Sequence, residues 1–323
     1  MASEVIVENM DIGWLVKHAE NKIYTSDLNP YVDSVLSELD SIVKDIPRDG
    51  IKVGSEESST NLYQLTKSFV HNSQIFLFAD RLGDLYSSLE KIPEKAIDEY
   101  DKTDFNMLLD FISAMIIYDT TVKNESLSDT QKKHLSIRSA EIFEKVDNQF
   151  YDDDQYFHIM AKYYQGLIEK DQGEIDYAKE TFKKCRELVF DNLDLEQVLE
   201  KVKNVEEPIT DGIFEESITE EDYHILELAG RVELNAAKLE AVYPSRERLL
   251  KHAVEYMKSA LSACPEHIND ITARYDLMHA YSTLAGEMME NNQEGDMEYL
   301  LNIFHQLHGL KDAILTVSPY LSE

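Results

Sequence analysis

Apolar residues recur along this chain at three- and four-residue intervals over nearly its whole length, the spacing that gathers them on one side of an α-helix. In 31–43, Val32, Val35, Leu36, Leu39, Ile42 and Val43 share one face. The same period predicts helices over 11–19, 62–88, 106–121, 130–148, 156–170, 174–190, 195–203, 223–242, 246–263, 269–290 and 296–315. The alternation a half-buried strand needs never persists. Two stretches interrupt the pattern. At 46–61, IPRDGIKVGSEESSTN supplies a proline, two glycines and a serine run, which predicts a loop. At 206–222, EEPITDGIFEESITEED carries eight carboxylates, one Pro, one Gly and neither Lys nor Arg. Such a segment repels itself and buries too little apolar surface to offset its ordering entropy, so it reads as linker or hinge in preference to a docking tail. It divides the chain into an N-terminal helical domain, 1–205, and a C-terminal one, 223–323.

Small residues recur within YYQGLIEKDQGEIDYAKETFKKC, 163–185. Gly166, Gly173, Ala178 and Cys185 are spaced as two helices in close contact require, and KDQG breaks the pattern between them. Ala178, Phe182 and Cys185 lie at i, i+4 and i+7, so Gly166 admits a facing helix while Phe182 fills the groove beside it. This pair, near 156–190, resembles a tetratricopeptide repeat of about 34 residues. A second copy of its closing half, AVEYMKSALSACP, gives Ala253, Met257, Ala260 and Pro265, with the proline as the helix stop. The usual aromatic of the first helix is replaced by Glu169, and the two copies start 75 residues apart, no multiple of the period. The expected fold is therefore all-α: an irregular TPR-like array of antiparallel helix pairs, an α-solenoid, with an unrelated helix bundle as the alternative.

Charge narrows the partners. Sixty-three acidic against 31 basic residues give a formal charge of −32, which repels nucleic acid and anionic membranes and draws in basic protein segments. Cys185 and Cys264 read as reduced, packed residues, as in a cytosolic or nuclear protein. No apolar run approaches the roughly 18 residues of a membrane span, and MASEVIVENM lacks the basic and apolar regions of a signal peptide. The acceptor-like Asn124-Glu125-Ser126 is then a chance match.

No phosphate loop, dinucleotide fingerprint, nucleophile elbow or zinc quartet is present, so no catalytic residue, cofactor or metal is expected. His305 and His308, at i, i+3, are either a metal pair or ordinary surface histidines. Asp152, Asp153 and Asp154 precede an apolar helix; they cap it, or with Phe150, Tyr151, Tyr156 and Phe157 form an acidic aromatic surface able to hold Lys or Arg. Tyr163 and Tyr164 either line a concave face or bridge core and water. Trp14 is a core residue or an exposed anchor. The expected partner-binding residues are Asp152, Asp153, Asp154, Tyr156, Tyr163 and Tyr164. Lys162 and Lys170 are the only cations on the first helix of the clean repeat, which favours a basic target over an acidic tail.

An all-helical acidic chain with irregular helix pairs, AVEYMKSAL and then YDLMHAYSTLAGEMME before an acidic break, resembles the fungal enhancer-of-translation-termination family. That resemblance implies a non-enzymatic adaptor, nuclear and cytoplasmic, which binds a 2-oxoglutarate- and iron-dependent prolyl hydroxylase of a ribosomal protein, restrains it and helps it into the nucleus. The iron would belong to the hydroxylase. The sequence departs from the family at its start, where MASEVIVEN carries no basic cluster. Two other readings stand beside this one: a chaperone or escort for a basic client such as a ribosomal protein, and an enzyme built on a dry pocket of perturbed carboxylates.

Overall fold

The computed structural model describes residues 29–45, 56–151, 154–206, 219–263, 269–291, 302–303 and 305–306. The expected helix 11–19, most of 296–315, Trp14, Cys264, Pro265 and His308 lie outside them. Among the described residues all regular structure is helical and there is no strand. Neighbouring helices pack side by side. They form two compact units divided between Cys185 and Arg186.

The first unit opens with α1 (Asn29–Asp45), α2 (Glu56–His71), α3 (Ser73–Phe78) and α4 (Leu82–Leu89). Helix α2 begins at Glu56, inside the stretch expected to be a loop. The single helix expected at 62–88 is three helices. Asp80 adopts a left-handed φ of 58°, and the Arg81 amide returns to the Phe76 carbonyl at 2.7 Å, turning the chain without Gly or Pro.

After a 3₁₀ turn (Glu94–Ala96) come α5 (Lys102–Lys123), α6 (Asp129–Gln149), α7 (Gln155–Asp171) and the first part of α8 (Ile175–Asn192). By length and composition α5 is apolar enough to cross a membrane, a test that a buried core helix also passes. Here it packs against α2, α4, α6 and α7, with Phe105, Leu108, Phe111, Ile112, Ala114 and Met115 buried. Phe111 meets Phe143, Phe157 and Tyr164 edge-on, while Phe143 stacks on Tyr164 with centroids 4.9 Å apart. Each such ring pair adds about 0.5–1.5 kcal/mol beyond area burial.

The α7–α8 turn is a Schellman motif: the Gly173 amide bonds the Lys170 carbonyl at 3.0 Å and the Glu174 amide bonds the Glu169 carbonyl at 2.9 Å. Gly173 sits at φ +78°, and a Cβ there would meet nothing within 4 Å. Its smallness serves the backbone turn; the helix-contact role expected for it is corrected. Gly166 does serve contact, since a Cβ there would lie 3.1 Å from the Phe182 ring. Ala178, Phe182 and Cys185 are fully buried on the facing stripe.

The second unit contains the rest of α8, then α9 (Leu195–Glu206), α10 (Glu220–Leu239), α11 (Tyr243–Ala263) and α12 (Asn269–Glu290). Helix α9, which precedes the acidic stretch, packs against α10 and α11 beyond it. The last residues of that stretch are structured: Thr219 and Asp222 form a reciprocal capping box at the start of α10. Ala253, Met257 and Ala260 are fully buried, and the residue opposite them is Gly230, where a Cβ would lie 2.6 Å from Met257 Cγ.

Candidate functional site

The aromatic acidic surface expected around α7 is, in the structure, mostly core. Asp154 caps α7, accepting the Tyr156 amide at 3.1 Å and the Phe157 amide at 3.4 Å, and pairs with Lys67 at 2.5 Å. Asp152 and Asp153 lie outside the described residues. Tyr156, Tyr163 and Tyr164 are buried together with Phe150 and Phe157, so the partner-facing role expected of these tyrosines is corrected. The reason is physical. Helix α7 is covered by α5, α6 and α8, and a tyrosine can satisfy its hydroxyl inside, as Tyr164 does by accepting from Gln74 Nε2 at 2.7 Å. Tyr151 alone of that set is exposed, with its ring edge-on to His158.

Beneath Tyr151 lies a polar cluster, His158 buried and Asp147 and Lys162 half-buried, that ties α6 to α7. His158 Nδ1 is 2.6 Å from Asp147 Oδ1, and Lys162 Nζ donates to Asp147 Oδ2 at 2.9 Å. Burial pushes the Asp147 carboxyl up, but hydrogen bonds to His158 and Lys162 outweigh it and hold the group below its ordinary value. Cys185 is fully buried and burial pushes its thiol well up, so it remains a protonated packing residue. None of these four residues lines either of the two clefts below.

The larger cleft, of about 660 Å³, lies in the first unit where the end of α5 and the start of α6 meet the α7–α8 turn. Tyr118 donates to Asp171 Oδ2 at 2.8 Å, and burial followed by the Asp171 charge pushes the phenol well up, keeping it protonated. Lys132 and Lys133 share the cleft with Asp129, Asp171 and Glu174, so its charges largely cancel.

The smaller cleft, of about 380 Å³, belongs to the second unit and is chemically sharper. Phe190 from α8, Leu195 and Leu199 from α9 and Tyr256 from α11 supply its apolar and aromatic surface, with Glu196 and Glu200 on the same wall. Phe190 is 57% exposed, in contrast to the buried Phe182 and Val189 of the same helix. Tyr256 is pushed up to about 12, first by burial and then by Glu233 and Glu255. Glu233 itself is buried and held by Arg186 Nε at 2.9 Å. Glu196 and Glu200 form no ion pair among the described residues. From Arg186 to the end of the chain there are 11 basic against 28 acidic side chains. Arg186, Lys201, Arg231, Arg246 and Lys251 already hold carboxylates within that unit.

The sequence reading missed this groove and Gly230. Phe190 was nonetheless legible: Ala178, Phe182, Cys185 and Val189 occupy one helical stripe, and Phe190 falls about 100° beyond it. His305 is exposed, and no three metal-ligating side chains converge among the described residues. No family model, curated protein or solved structure matches the chain.

Proposed function

We propose that this chain is a non-catalytic helical adaptor that binds a protein partner through the acidic face of its second unit. The reading rests on the groove at Phe190 and Tyr256: exposed apolar surface beside two carboxylates that no cation of the described structure neutralises. Apolar anchors supply packing, and surrounding negative charge speeds encounter with a basic segment and selects for it. The tetratricopeptide-like arrangement of the helix pairs belongs to the same proposal, supported by the fit of Gly166 to Phe182 and of Gly230 to Met257.

The resemblance to the enhancer-of-translation-termination family gives the partner a chemical identity, a 2-oxoglutarate- and iron-dependent prolyl hydroxylase restrained on binding. Affinity capture with the full chain, in low and in moderate salt, tests the adaptor reading. The expected result is one stoichiometric partner retained at both salt concentrations; recovery of none overturns it. The large unpaired acidic excess favours a second reading, an escort for a basic client such as a ribosomal protein. That client would be lost steeply with salt, whereas a packed interface persists.

A further inference from the structure

Helix α9 presents two repeats of the same pair, Leu195-Glu196 and Leu199-Glu200, one turn apart. On a helix rising 1.5 Å per residue, the two carboxylates stand about 6 Å apart along the axis, and so do the two leucines beside them. Phe190 and Tyr256 complete the apolar side of this wall. We infer that the groove receives a basic amphipathic helix of the partner, with aliphatic side chains on Phe190, Leu199 and Tyr256 and Lys or Arg one turn apart opposite Glu196 and Glu200; Leu195 is buried and forms the floor beneath them. This inference rests on the adaptor reading and names the segment that reading requires.

Two arguments select a helix over an extended peptide. The backbone groups of α9 are consumed by its own hydrogen bonds, so the wall offers no edge to pair with a strand. An extended segment on this apolar surface would leave its amides and carbonyls without partners, whereas a helix brings them already bonded. Charge selects the sign. Glu196 and Glu200 are exposed and form no ion pair among the described residues, and the unit around them carries more than twice as many acids as bases. Lysine and arginine can lay their methylenes on Leu199 and Phe190 while reaching the carboxylates.

The test uses the full chain and a fluorescein-labelled probe peptide of about five helical turns, leucines on one face and lysines along its flank. One control has the same composition scrambled so that the faces mix; another carries glutamate for lysine. Fluorescence anisotropy is expected to show the amphipathic probe bound at least roughly tenfold more tightly than either control. Glu196→Lys/Glu200→Lys should weaken the probe roughly tenfold and flatten its salt dependence. Phe190→Ala should weaken it severalfold while leaving the salt dependence unchanged. These side chains are at the surface, so unchanged helical circular dichroism and melting separate loss of binding from loss of fold. No binding of the probe, equal binding of the scrambled peptide, or indifference to the charge reversal would each overturn the inference. A captured partner that still binds the charge-reversed chain would overturn the groove assignment alone. Capture of no partner by the unaltered chain would instead remove the adaptor reading.

Discussion

Helices α7 and α10 are each buried within their own unit, and they solve that burial with different side chains. Helix α7 brings rings: Tyr156, Phe157, Tyr163 and Tyr164 pack among Phe111, Phe143 and Phe150. Helix α10 brings charge. Between 222 and 235 every residue is buried, including Asp222, His224, Glu227, Arg231, Glu233 and Asn235. These groups are tied both within α10 and outward. Asp222 pairs with Lys201 of α9 at 3.4 Å, Glu233 with Arg186 of α8 at 2.9 Å, and Arg231 with Glu227 at 2.8 Å and Asp276 of α12 at 2.6 Å. Ring packing is only loosely directional and yields gradually when altered. A buried ion pair is directional, contributes little net stability, and becomes expensive when one partner is removed.

The largest expected effect tests that contrast directly. Arg231→Leu leaves Glu227 and Asp276 facing each other in the core, and urea unfolding should show a loss of about 3–5 kcal/mol. Tyr164→Phe in the first unit removes only the hydroxyl that accepts from Gln74 and should cost nearer 1 kcal/mol. Equal losses would erase the distinction between the two helices.

The next effect depends on pH. Because the Asp147 carboxyl is held below its ordinary 3.8, it stabilises the fold above that value and the contribution disappears as pH falls through the folded value. Asp147→Asn should therefore cost about 1.5–3 kcal/mol at neutral pH and progressively less in acid. Asp276 has the opposite sign: burial raises it above 3.8 despite Arg231, so acid relieves a buried charge in the second unit. Unfolding curves at neutral pH and near pH 3.5 would sharpen the comparison; an Asp147→Asn penalty that does not change with pH would break it.

Steric effects come next. Gly230→Ala drives a methyl to 2.6 Å from Met257 Cγ, in the middle of that side chain, and should cost about 1–3 kcal/mol. Gly166→Ala is the mildest change. The Phe182 ring must yield only a few tenths of an ångström from 3.1 Å, and alanine's helix propensity returns about 1 kcal/mol, so the melting temperature should move little. A larger loss at Gly166 than at Gly230 would reverse the assignment of the tighter hairpin.

These differences also show what the sequence makes legible. Periodicity located the helices from α5 to α12 because each has an uninterrupted apolar stripe. It missed the division of 62–88, where Asp80 takes a left-handed conformation with no glycine to announce it. The fit of Gly166 to Phe182 followed from spacing alone, but Gly230 went unseen because the closing half of its hairpin begins 23 residues later, at Ala253, against 12 for Gly166 and Ala178. Tyr163 and Tyr164 were misplaced because amphipathic residues do not declare whether their hydroxyls find water or glutamine. The charges of α10 look like a solvated face until its neighbours surround it. The groove depends on which apolar residues fall off the buried stripe, and Phe190 does so by a single position.

Lys201 and Asp222 join the helix that carries Glu196 and Glu200 to the first turn of the most deeply enclosed helix in the unit. An incoming ligand would thus meet a wall already braced from behind. Little conformational freedom would remain to be frozen on association, and amides along α9 should exchange with deuterium slowly even when the groove is empty.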